Sequence, residues 1–178
     1  MEMPVSHAVF ATTPPTEARA DLFALATLWR GAMLECFARM ERAIAETLNE
    51  LHKCGMELPA DARHQAVVTR ARALAEVSRR PDFGGHGLPT VRKLEAYVES
   101  AGERNAMAHG TLEIRGPKAV FVVASFHDGQ WEDSDLGYSP VEMLVRLEER
   151  HAMQRALASQ LGQLRRAARL QHARPQPL

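Results

Sequence analysis

The residues best suited to chemistry in this chain lie within one heptapeptide, Arg104 to Gly110. Arg104 supplies a permanent cation whose hydrogen-bond donors are arranged as a fork. His109 carries the side chain that gives or takes a proton near neutral pH, and Asn105 places an amide beside Arg104. This combination suits chemistry on phosphate esters, and no other segment of the sequence offers a comparable set. Arg104, Asn105 and His109 are therefore the candidate catalytic residues.

A purely structural interpretation of the same residues stays open. A histidine in the last turn of a helix, just before a glycine, often hydrogen-bonds the free carbonyl groups there. An arginine at the edge of an apolar stripe commonly extends its charged end into solvent. Spacing does not decide between the interpretations, because Arg146 precedes His151 by the same five positions. What distinguishes the heptapeptide is its context, with Asn105 next to Arg104 and Gly110 after the histidine.

Periodicity and turn residues predict four helices and three short strands around the heptapeptide. Apolar residues at alternating gaps of three and four predict one buried stripe along a long first helix. Its residues are Leu22, Ala26, Trp29, Met33, Phe37, Met40, Ile44, Leu48 and Leu51. Trp29 is interpreted as a residue of the core or of a dimer contact. The predicted helices cover about 17–54, 61–79, 90–109 and 140–170. The predicted strands cover 111–115, 119–126 and 130–133.

Local signals support these boundaries. Thr90 is a good N-cap for the third helix, and residues 139–142, Ser-Pro-Val-Glu, form a capping box for the last helix. The glycine-rich segment 80–87 is predicted to be a loop. Residues 1–15 are predicted to form an irregular leader and residues 171–178 a flexible tail.

Composition and element order together predict an all-α fold. Ala, Leu, Arg and Glu are plentiful and aromatic residues make up only 6% of the chain, which favours helices. The length of 178 residues favours one domain. We expect an antiparallel bundle of about four helices, with a small antiparallel β-meander insert at about 111–134 before the last helix.

Helical geometry predicts how the heptapeptide faces this bundle. Each residue turns by about 100°, so with Val91 as reference the apolar residues of the third helix fall into one sector. Asn105 falls inside that sector, His109 lies one turn further on the same face, and Arg104 lies at its edge. The prediction is an inward-facing Asn105 whose amide orients His109 or Arg104.

Charge, cysteine content and hydropathy exclude several classes of function. Lys+Arg and Asp+Glu both number 22, so no global field attracts nucleic acid, and any such contact needs a local patch. Cys36 and Cys54 lie roughly 27 Å apart along the first helix, too far for a disulfide, which indicates buried, reduced thiols and a cytoplasmic location. The first 15 residues lack the pattern of a signal peptide, and the longest apolar stretch, 119–124, is too short to cross a membrane.

Other histidines have simpler interpretations. His151 is expected on the inner side of the last helix as a core or interface residue, with a second catalytic histidine as the minor alternative. His86 lies in the glycine-rich loop, which lacks the lysine of a P-loop and is interpreted as a flexible segment able to border the site. His127 and the acidic residues after it lack the ligand spacing of zinc and calcium sites. No metal or cofactor is therefore predicted.

Two groups of basic residues are candidate patches for RNA, although a solvated helix face is the default interpretation of such groups. The first lies on and after the second helix and consists of Arg63, Arg70, Arg79, Arg80, Arg92 and Lys93. The second lies near the C-terminus and consists of Arg165, Arg166, Arg169, His172 and Arg174.

The heptapeptide resembles the signature of the HEPN superfamily (higher eukaryotes and prokaryotes nucleotide-binding). That signature is an arginine, a polar residue directly after it, and a histidine after a gap of about four to six residues. Arg104, Asn105 and His109 match each element. The helical frame also looks like the family's bundle, so residues 16–170 are predicted to form a HEPN-like domain. The β-meander is not part of the family's core.

The resemblance implies metal-independent RNA cleavage. In such a reaction the ribose 2′-OH attacks the adjacent phosphate and leaves a 2′,3′-cyclic phosphate and a 5′-OH. His109 is then the general base or acid, Arg104 stabilises charge on the phosphorane oxygens, and Asn105 orients the histidine or the phosphate. The family commonly joins the motifs of two protomers in one cleft, which implies a homodimer. A toxin–antitoxin or phage-defence setting, with an antitoxin or regulatory partner, also comes from the family alone.

Two rival functions stay open beside catalysis. One is a catalytically inactive HEPN-like module that binds nucleotide, RNA or a partner protein and uses Arg104 and His109 structurally. The other is a helical bundle in which the heptapeptide is a helix cap and nothing more. Catalysis requires Arg104 and His109 to reach solvent in one cleft, near the same residues of a second protomer, whereas a His109 enclosed within one subunit counts against catalysis.

Overall fold

The long first helix is the element against which most of the others pack. The computed structural model describes residues 16–60, 62, 65–127 and 130–172, so the predicted leader and the end of the predicted tail lie outside the described residues. The described helices are α1 (Thr16–Lys53), α2 (Val67–Ser78), a 3-10 helix (Pro81–His86), α3 (Gly87–Glu99), α4 (Ala101–His109) and α5 (Pro140–His172). The strands are β1 (Thr111–Arg115), β2 (Lys118–His127) and β3 (Gln130–Tyr138). Among the described helices, none is long and apolar enough to span a membrane.

The predicted apolar stripe of α1 is confirmed. Every stripe residue from Ala26 to Leu51 is buried, and Leu22 is partly buried. The second half of α5 packs along this stripe through Leu157, Leu161, Leu164 and Ala168. Because burial of apolar surface is the main favourable term in folding, the α1–α5 contact forms the centre of the core.

Trp29 joins α1 to both the sheet and α5. Its indole Nε1 donates a hydrogen bond to the carbonyl oxygen of Met143 at 2.6 Å. Its ring lies 4.9 Å from the ring of Tyr138 and 5.8 Å from that of Phe121, in tilted arrangements. Such aromatic pairs stabilise a core beyond the area that they bury. The interpretation of Trp29 as a core residue is thus confirmed.

The sheet belongs to the core, and the prediction of an all-α fold with a small β insert is too narrow. Three antiparallel strands lie in the order β1–β2–β3, with Thr111 opposite Val122 and Phe121 opposite Leu136. Four sheet residues join the buried cluster: Ile114, Ala119, Phe121 and Tyr138. The last strand runs to Tyr138 and not to residue 133 as predicted, because its exposed acidic residues hid the alternation from the sequence pattern. The fold is mainly helical, with a three-stranded antiparallel sheet before the last helix.

The capping box of α5 is confirmed in both directions. The backbone N–H of Ser139 donates to Oε2 of Glu142 at 2.7 Å, and the backbone N–H of Glu142 donates to Oγ of Ser139 at 3.3 Å. The hydrogen bond from the Ser139 backbone holds the pKa of Glu142 below its ordinary value. Two N–H groups at the start of α5 are thereby satisfied.

The predicted third helix is two helices, and Thr90 is not its cap. The helix α3 begins at Gly87, so Thr90 lies inside it, and the buried Thr90 hydroxyl donates to the carbonyl oxygen of His86 at 2.8 Å. At Ser100 the backbone has φ −81° and ψ 0°, which departs from α-helical geometry. The Ser100 hydroxyl donates to the carbonyl oxygen of Tyr97 at 2.7 Å and satisfies the end of α3. This break separates α4 from α3 and lets α4 take its own direction.

Candidate functional site

The helix α4 carries the whole heptapeptide except Gly110, and its buried face is not the predicted one. Ala106 and Met107 are buried, whereas Asn105 and His109 are exposed. The prediction of an inward-facing Asn105 is therefore wrong. It extended the phase of α3 through Ser100, and the break there shifts the buried face of the next helix by roughly half a turn. Asn105 and His109 do share a face, one turn apart, but that face points to solvent.

Gly110 ends α4 by close approach to the sheet. Its backbone is extended, with φ −68° and ψ 143°, a conformation open to any residue. A Cβ atom there would lie 2.5 Å from the carbonyl oxygen of Ala106 and 3.3 Å from the Cβ of Phe121 on β2. Only glycine leaves room for this approach, so the end of the helix is held directly beside the sheet.

Two charged residues of α1 hold the middle and the C-terminal end of α4. Nε of Arg104, in the middle, donates to Oε1 of Glu41 at 3.0 Å. At the C-terminal end Arg30 donates from Nε to the carbonyl oxygen of Met107 at 2.5 Å and from Nη2 to that of Ala108 at 3.2 Å. Arg30 and Glu41 are eleven residues apart, which places them on the same side of α1 and roughly 16 Å apart along it. α4 thus lies along α1 with a fixed position and a fixed rotation.

The contact of Arg30 is a helix C-cap made by tertiary structure, because a cation hydrogen-bonds free carbonyl groups at the negative end of α4. We expect Arg30→Met to lower the free energy of unfolding by about 1–3 kcal/mol, since two charge-assisted hydrogen bonds are lost from a half-buried position. Chemical denaturation monitored by circular dichroism measures this. Arg39→Met, which breaks only an exposed pair with Glu35 on the same helix, is the matched control and is expected to leave the midpoint unchanged. Equal midpoints for both variants would contradict the role of Arg30.

On its inner side α4 is held by a buried ion pair. Nε of Arg150 on α5 donates to Oε2 of Glu103 at 2.6 Å, and the two side chains are 11% and 10% exposed. The Tyr138 hydroxyl donates to Oε1 of Glu103 at 2.8 Å. The pKa of Tyr138 is raised, mainly by burial and secondly by this hydrogen bond to Glu103. The guanidinium of Arg150 also lies 6.0 Å from the centre of the Phe37 ring, so α4 is tied to α5, β3 and α1 together.

A cleft of about 500 Å³ opens beside Arg104. Its walls include Glu41, Tyr97, Arg104 and Asn105. The Tyr97 hydroxyl lies 3.5 Å from Oε1 of Glu41. Burial raises the pKa of Tyr97, and the negative charge of Glu41 raises it further. His109 is not among the lining residues, because five residues of helix place it about 140° around α4 from Arg104. One chain therefore brings Arg104 and Asn105 into one cleft and leaves His109 on the exposed face outside it.

Arg104 and His109 are both available to an incoming molecule. The Arg104 side chain is 33% exposed, and its contact with Glu41 uses Nε, which leaves the terminal amino groups of the fork for a second acceptor. Within the described residues, the side chains of Asn105 and His109 have no hydrogen-bond partner. The interpretation of His109 as a helix cap is not supported, since the carbonyl oxygens of Met107 and Ala108 are bound by Arg30.

The other histidines and the cysteines are placed as follows. His151 is exposed, so the core interpretation is wrong because this side of α5 is not covered by another described element, and the interface interpretation stays a prediction. The segment that holds His86 forms 3-10 turns with a kink at Gly84 and contains the buried Phe83, and it does not line the cleft. Cys36 is buried, which raises its pKa, and Cys54 is partly buried. Cys36 therefore lacks the lowered pKa of an activated nucleophile.

The two predicted basic patches are divided by the fold. Arg70 lines the cleft, whereas Arg79 forms an ion pair with Glu95 at 2.7 Å. Near the C-terminus, Arg169 pairs with Glu50 at 2.7 Å and Arg165 donates to Thr47 at 3.1 Å. Arg63 and Arg174 lie outside the described residues, as does Asp128 of the acidic turn near His127. No group of three potential metal ligands occurs among the residues that the structure describes.

The partners of α4 were missed from the sequence because each is a single charge on a helix. A signal was present for Arg30 and Glu41, which lie four residues after the buried Ala26 and Phe37 and so flank the stripe of α1. Glu103 carries no such signal, because its burial depends on α5, which follows 37 residues later.

Comparison with protein-family models, with curated proteins and with solved structures returned no match to this chain.

Proposed function

We propose that this protein is a metal-independent endoribonuclease with Arg104, Asn105 and His109 as its catalytic residues. The observation that carries the proposal is the state of α4, which presents an exposed histidine and the unused end of an arginine fork. The HEPN-like sequence pattern supports it, and the helices are then the antiparallel bundle of that family, extended by the sheet.

The proposed reaction needs only proton transfer and charge stabilisation. His109 takes the proton of the ribose 2′-OH as its oxygen attacks phosphorus, or returns a proton to the departing 5′ oxygen. The P–O bond to the 5′ oxygen breaks, which leaves a 2′,3′-cyclic phosphate and a 5′-OH. The terminal amino groups of Arg104 donate to the phosphorane oxygens, where a fork matches two oxygens at once. Asn105, one turn from His109, hydrogen-bonds the phosphate or the imidazole.

Glu41 is a positioning residue in this scheme. It binds Nε of Arg104 at 3.0 Å and so orients the guanidinium while leaving its two terminal nitrogens free. An arginine held in one rotamer loses less side-chain entropy when it binds phosphate. The acid side chain thereby prepares the cation for its substrate.

We further propose that the active form is a homodimer, because the site is incomplete in one chain. Arg104 and Asn105 line the cleft and His109 lies outside it. A second protomer that covers the exposed face of α4 supplies its own His109 to the cleft of the first. In a two-fold dimer this exchange is reciprocal and creates two shared sites.

Mixing two inactive variants tests this arrangement. In a mixed dimer, one protomer carries Arg104→Ala and the other carries His109→Ala. One of its two shared sites lacks both residues, and the other site has both residues intact. After subunit exchange at equal concentrations, we expect about a quarter of wild-type activity, since half of the dimers are mixed and each has one good site. Light scattering of the wild type gives the oligomeric state independently. A mixture as inactive as either variant alone would contradict the shared site.

The ribonuclease proposal itself is tested with RNA in the presence of EDTA. Structured and unstructured RNAs are incubated with the wild type, and the ends of the products are then identified. A 5′-OH end is labelled directly by a polynucleotide kinase, and a 2′,3′-cyclic phosphate end cannot be ligated until the phosphate is removed. Cleavage with 2′,3′-cyclic phosphate ends is expected to persist in EDTA. Absence of cleavage on all of these RNAs, or cleavage that EDTA abolishes, would reject the proposal.

The alternative is a catalytically inactive HEPN-like module that binds nucleotide, RNA or a partner protein. The ion pair of Arg104 with Glu41 and the position of His109 outside the cleft favour it if the protein is a monomer. A monomeric protein that binds RNA and leaves it intact would have this function. A cytoplasmic location and an antitoxin or regulatory partner stay predictions.

A further inference from the structure

The start of α2 forms one wall of the cleft beside Arg104. Ala66, Val67, Val68 and Arg70 line this wall. None of them belongs to the heptapeptide, and the catalytic scheme above does not use them. The cleft therefore continues beyond Arg104 to a wall that holds a second arginine and the start of a helix.

The positive end of the α2 dipole lies at this wall. The first hydrogen bond of the helix runs from the backbone N–H of Arg70 to the carbonyl oxygen of Ala66 at 3.0 Å, so the N–H groups of residues 67–69 have no partner within the helix. Ala66 occupies the N-cap position without a side-chain acceptor, and the first turn contains no acidic residue. A helix start of this kind attracts anions, above all phosphate.

Arg70 adds an unsatisfied donor to the same wall. Its Nε is buried and has no hydrogen-bond partner among the described residues. A buried donor without a partner costs free energy, and because the Arg70 side chain as a whole is only partly buried and lines the cleft, a rotation of this side chain brings Nε to an acceptor there. This is an observation independent of the helix dipole, and it indicates an anionic ligand.

The charges that line the cleft favour the same ligand. Among its described lining residues, Arg70 and Arg104 are positive and Glu41 is negative, and Glu41 is bound to Nε of Arg104. One positive charge is left over, beside the amide of Asn105. A phosphodiester, with one negative charge and two free oxygens, complements this set.

We propose that the cleft binds a backbone phosphate of RNA next to the cleaved one, with Arg70 and the N-terminus of α2 as its contacts. The identity of the strand rests on the proposed function, whereas the anion site rests on the geometry of α2 and Arg70. Arg70 is then a substrate-binding residue that the heptapeptide does not contain. It fixes the strand so that the neighbouring phosphate reaches Arg104.

Binding of an uncleavable RNA tests this site. The probe is a fluorescein-labelled oligonucleotide with 2′-O-methyl riboses, which lacks the attacking hydroxyl, and fluorescence anisotropy gives its Kd at several salt concentrations. We expect Arg70→Ala to raise the Kd about tenfold and to lower the salt slope by about one phosphate contact. Arg72→Ala is the matched control, since Arg72 is exposed on the same helix and does not line the cleft. Its Kd is expected to change by less than about twofold.

A second variant separates binding from folding. Val68→Asp places a carboxylate in the first turn of α2, where it favours the helix dipole and repels phosphate. We expect its thermal midpoint to equal or exceed that of the wild type while its Kd rises at least as much as that of Arg70→Ala. Loss of binding therefore cannot come from unfolding in this variant.

The results distinguish this inference from the ribonuclease proposal. Equal effects of Arg70→Ala and Arg72→Ala, or unchanged binding by Val68→Asp, would overturn the phosphate site even if the protein cleaves RNA. Binding that depends on Arg70 and Val68 in a protein that leaves ordinary RNA intact would support the site and reject only the nuclease.

Discussion

His109→Ala is expected to reduce the rate of RNA cleavage by about 10²–10⁴-fold, the usual contribution of one general acid–base group. The imidazole is exposed on α4, so its removal leaves the core intact and the thermal midpoint should stay within error of the wild type. Single-turnover cleavage of a labelled RNA in EDTA measures the loss. A variant that cleaves as fast as the wild type would remove His109 from the mechanism.

His52→Ala is the matched control for this experiment. Like His109, His52 is an exposed histidine in the last turn of its helix. It lies roughly 33 Å along α1 from Arg30, the residue that holds the end of α4. Its removal is expected to leave the cleavage rate unchanged, so a loss shared by both variants would indicate an effect of surface charge and not of catalysis.

Arg104→Ala is expected to lower the same rate by about 10²–10³-fold, because charge developing on the phosphorane oxygens loses its donors. Arg104→Lys restores a positive charge without the fork. We therefore expect it to recover only part of the rate, since a point charge does not match two oxygens at once. Full recovery by lysine would mean that Arg104 acts by charge alone.

Breaking the Glu103–Arg150 pair is expected to have the largest effect on stability. The two side chains are about nine-tenths buried, so Arg150→Met leaves the carboxylate of Glu103 without its main partner in the interior. Loss of one member of a buried pair costs about 3–5 kcal/mol. The free energy of unfolding from urea denaturation measures this loss.

The double variant Glu103→Gln with Arg150→Met completes the measurement. It removes both charges, and the glutamine oxygen can still accept the hydrogen bond from Tyr138. We expect it to be more stable than the Arg150→Met variant, because no unpaired charge stays buried. Glu35→Gln, which breaks the exposed pair with Arg39 on α1, is the control and should leave the unfolding midpoint unchanged. A double variant that is no more stable than Arg150→Met would contradict a coupled pair.

Elements whose signals lie within the sequence itself were predicted well. The stripe of α1 follows from the gaps of three and four between its apolar residues, and burial confirms it from Ala26 to Leu51. The start of α5 follows from Ser139 and Glu142, whose reciprocal hydrogen bonds lie within one turn. Such signals are local, because the partners that satisfy them are three or four residues away.

Interpretations that needed the direction of a helix were wrong for Asn105 and for His151 as a core residue. The prediction extends the phase of α3 to Asn105, but the chain breaks at Ser100, and the nearby Gly102 lies inside α4 and not at the break. His151 is predicted on the inner side of α5, near Leu144 and Leu147, as a core or interface residue, yet Leu144 is itself 61% exposed in this chain. The periodicity was real in both cases, and the face that it marks was decided by other elements.

The sequence by itself determined which residues are the candidates for chemistry, namely Arg104, Asn105 and His109, their spacing, and their place at the end of a helix. Only the tertiary structure decided how they are presented. Arg30 and Glu41 fix α4 from α1, Glu103 is drawn inward by α5, and Asn105 and His109 consequently face solvent. The physical reason is that the rotation of a short helix is set by the contacts of its buried side. Those contacts join residues far apart in the chain, which no local pattern records.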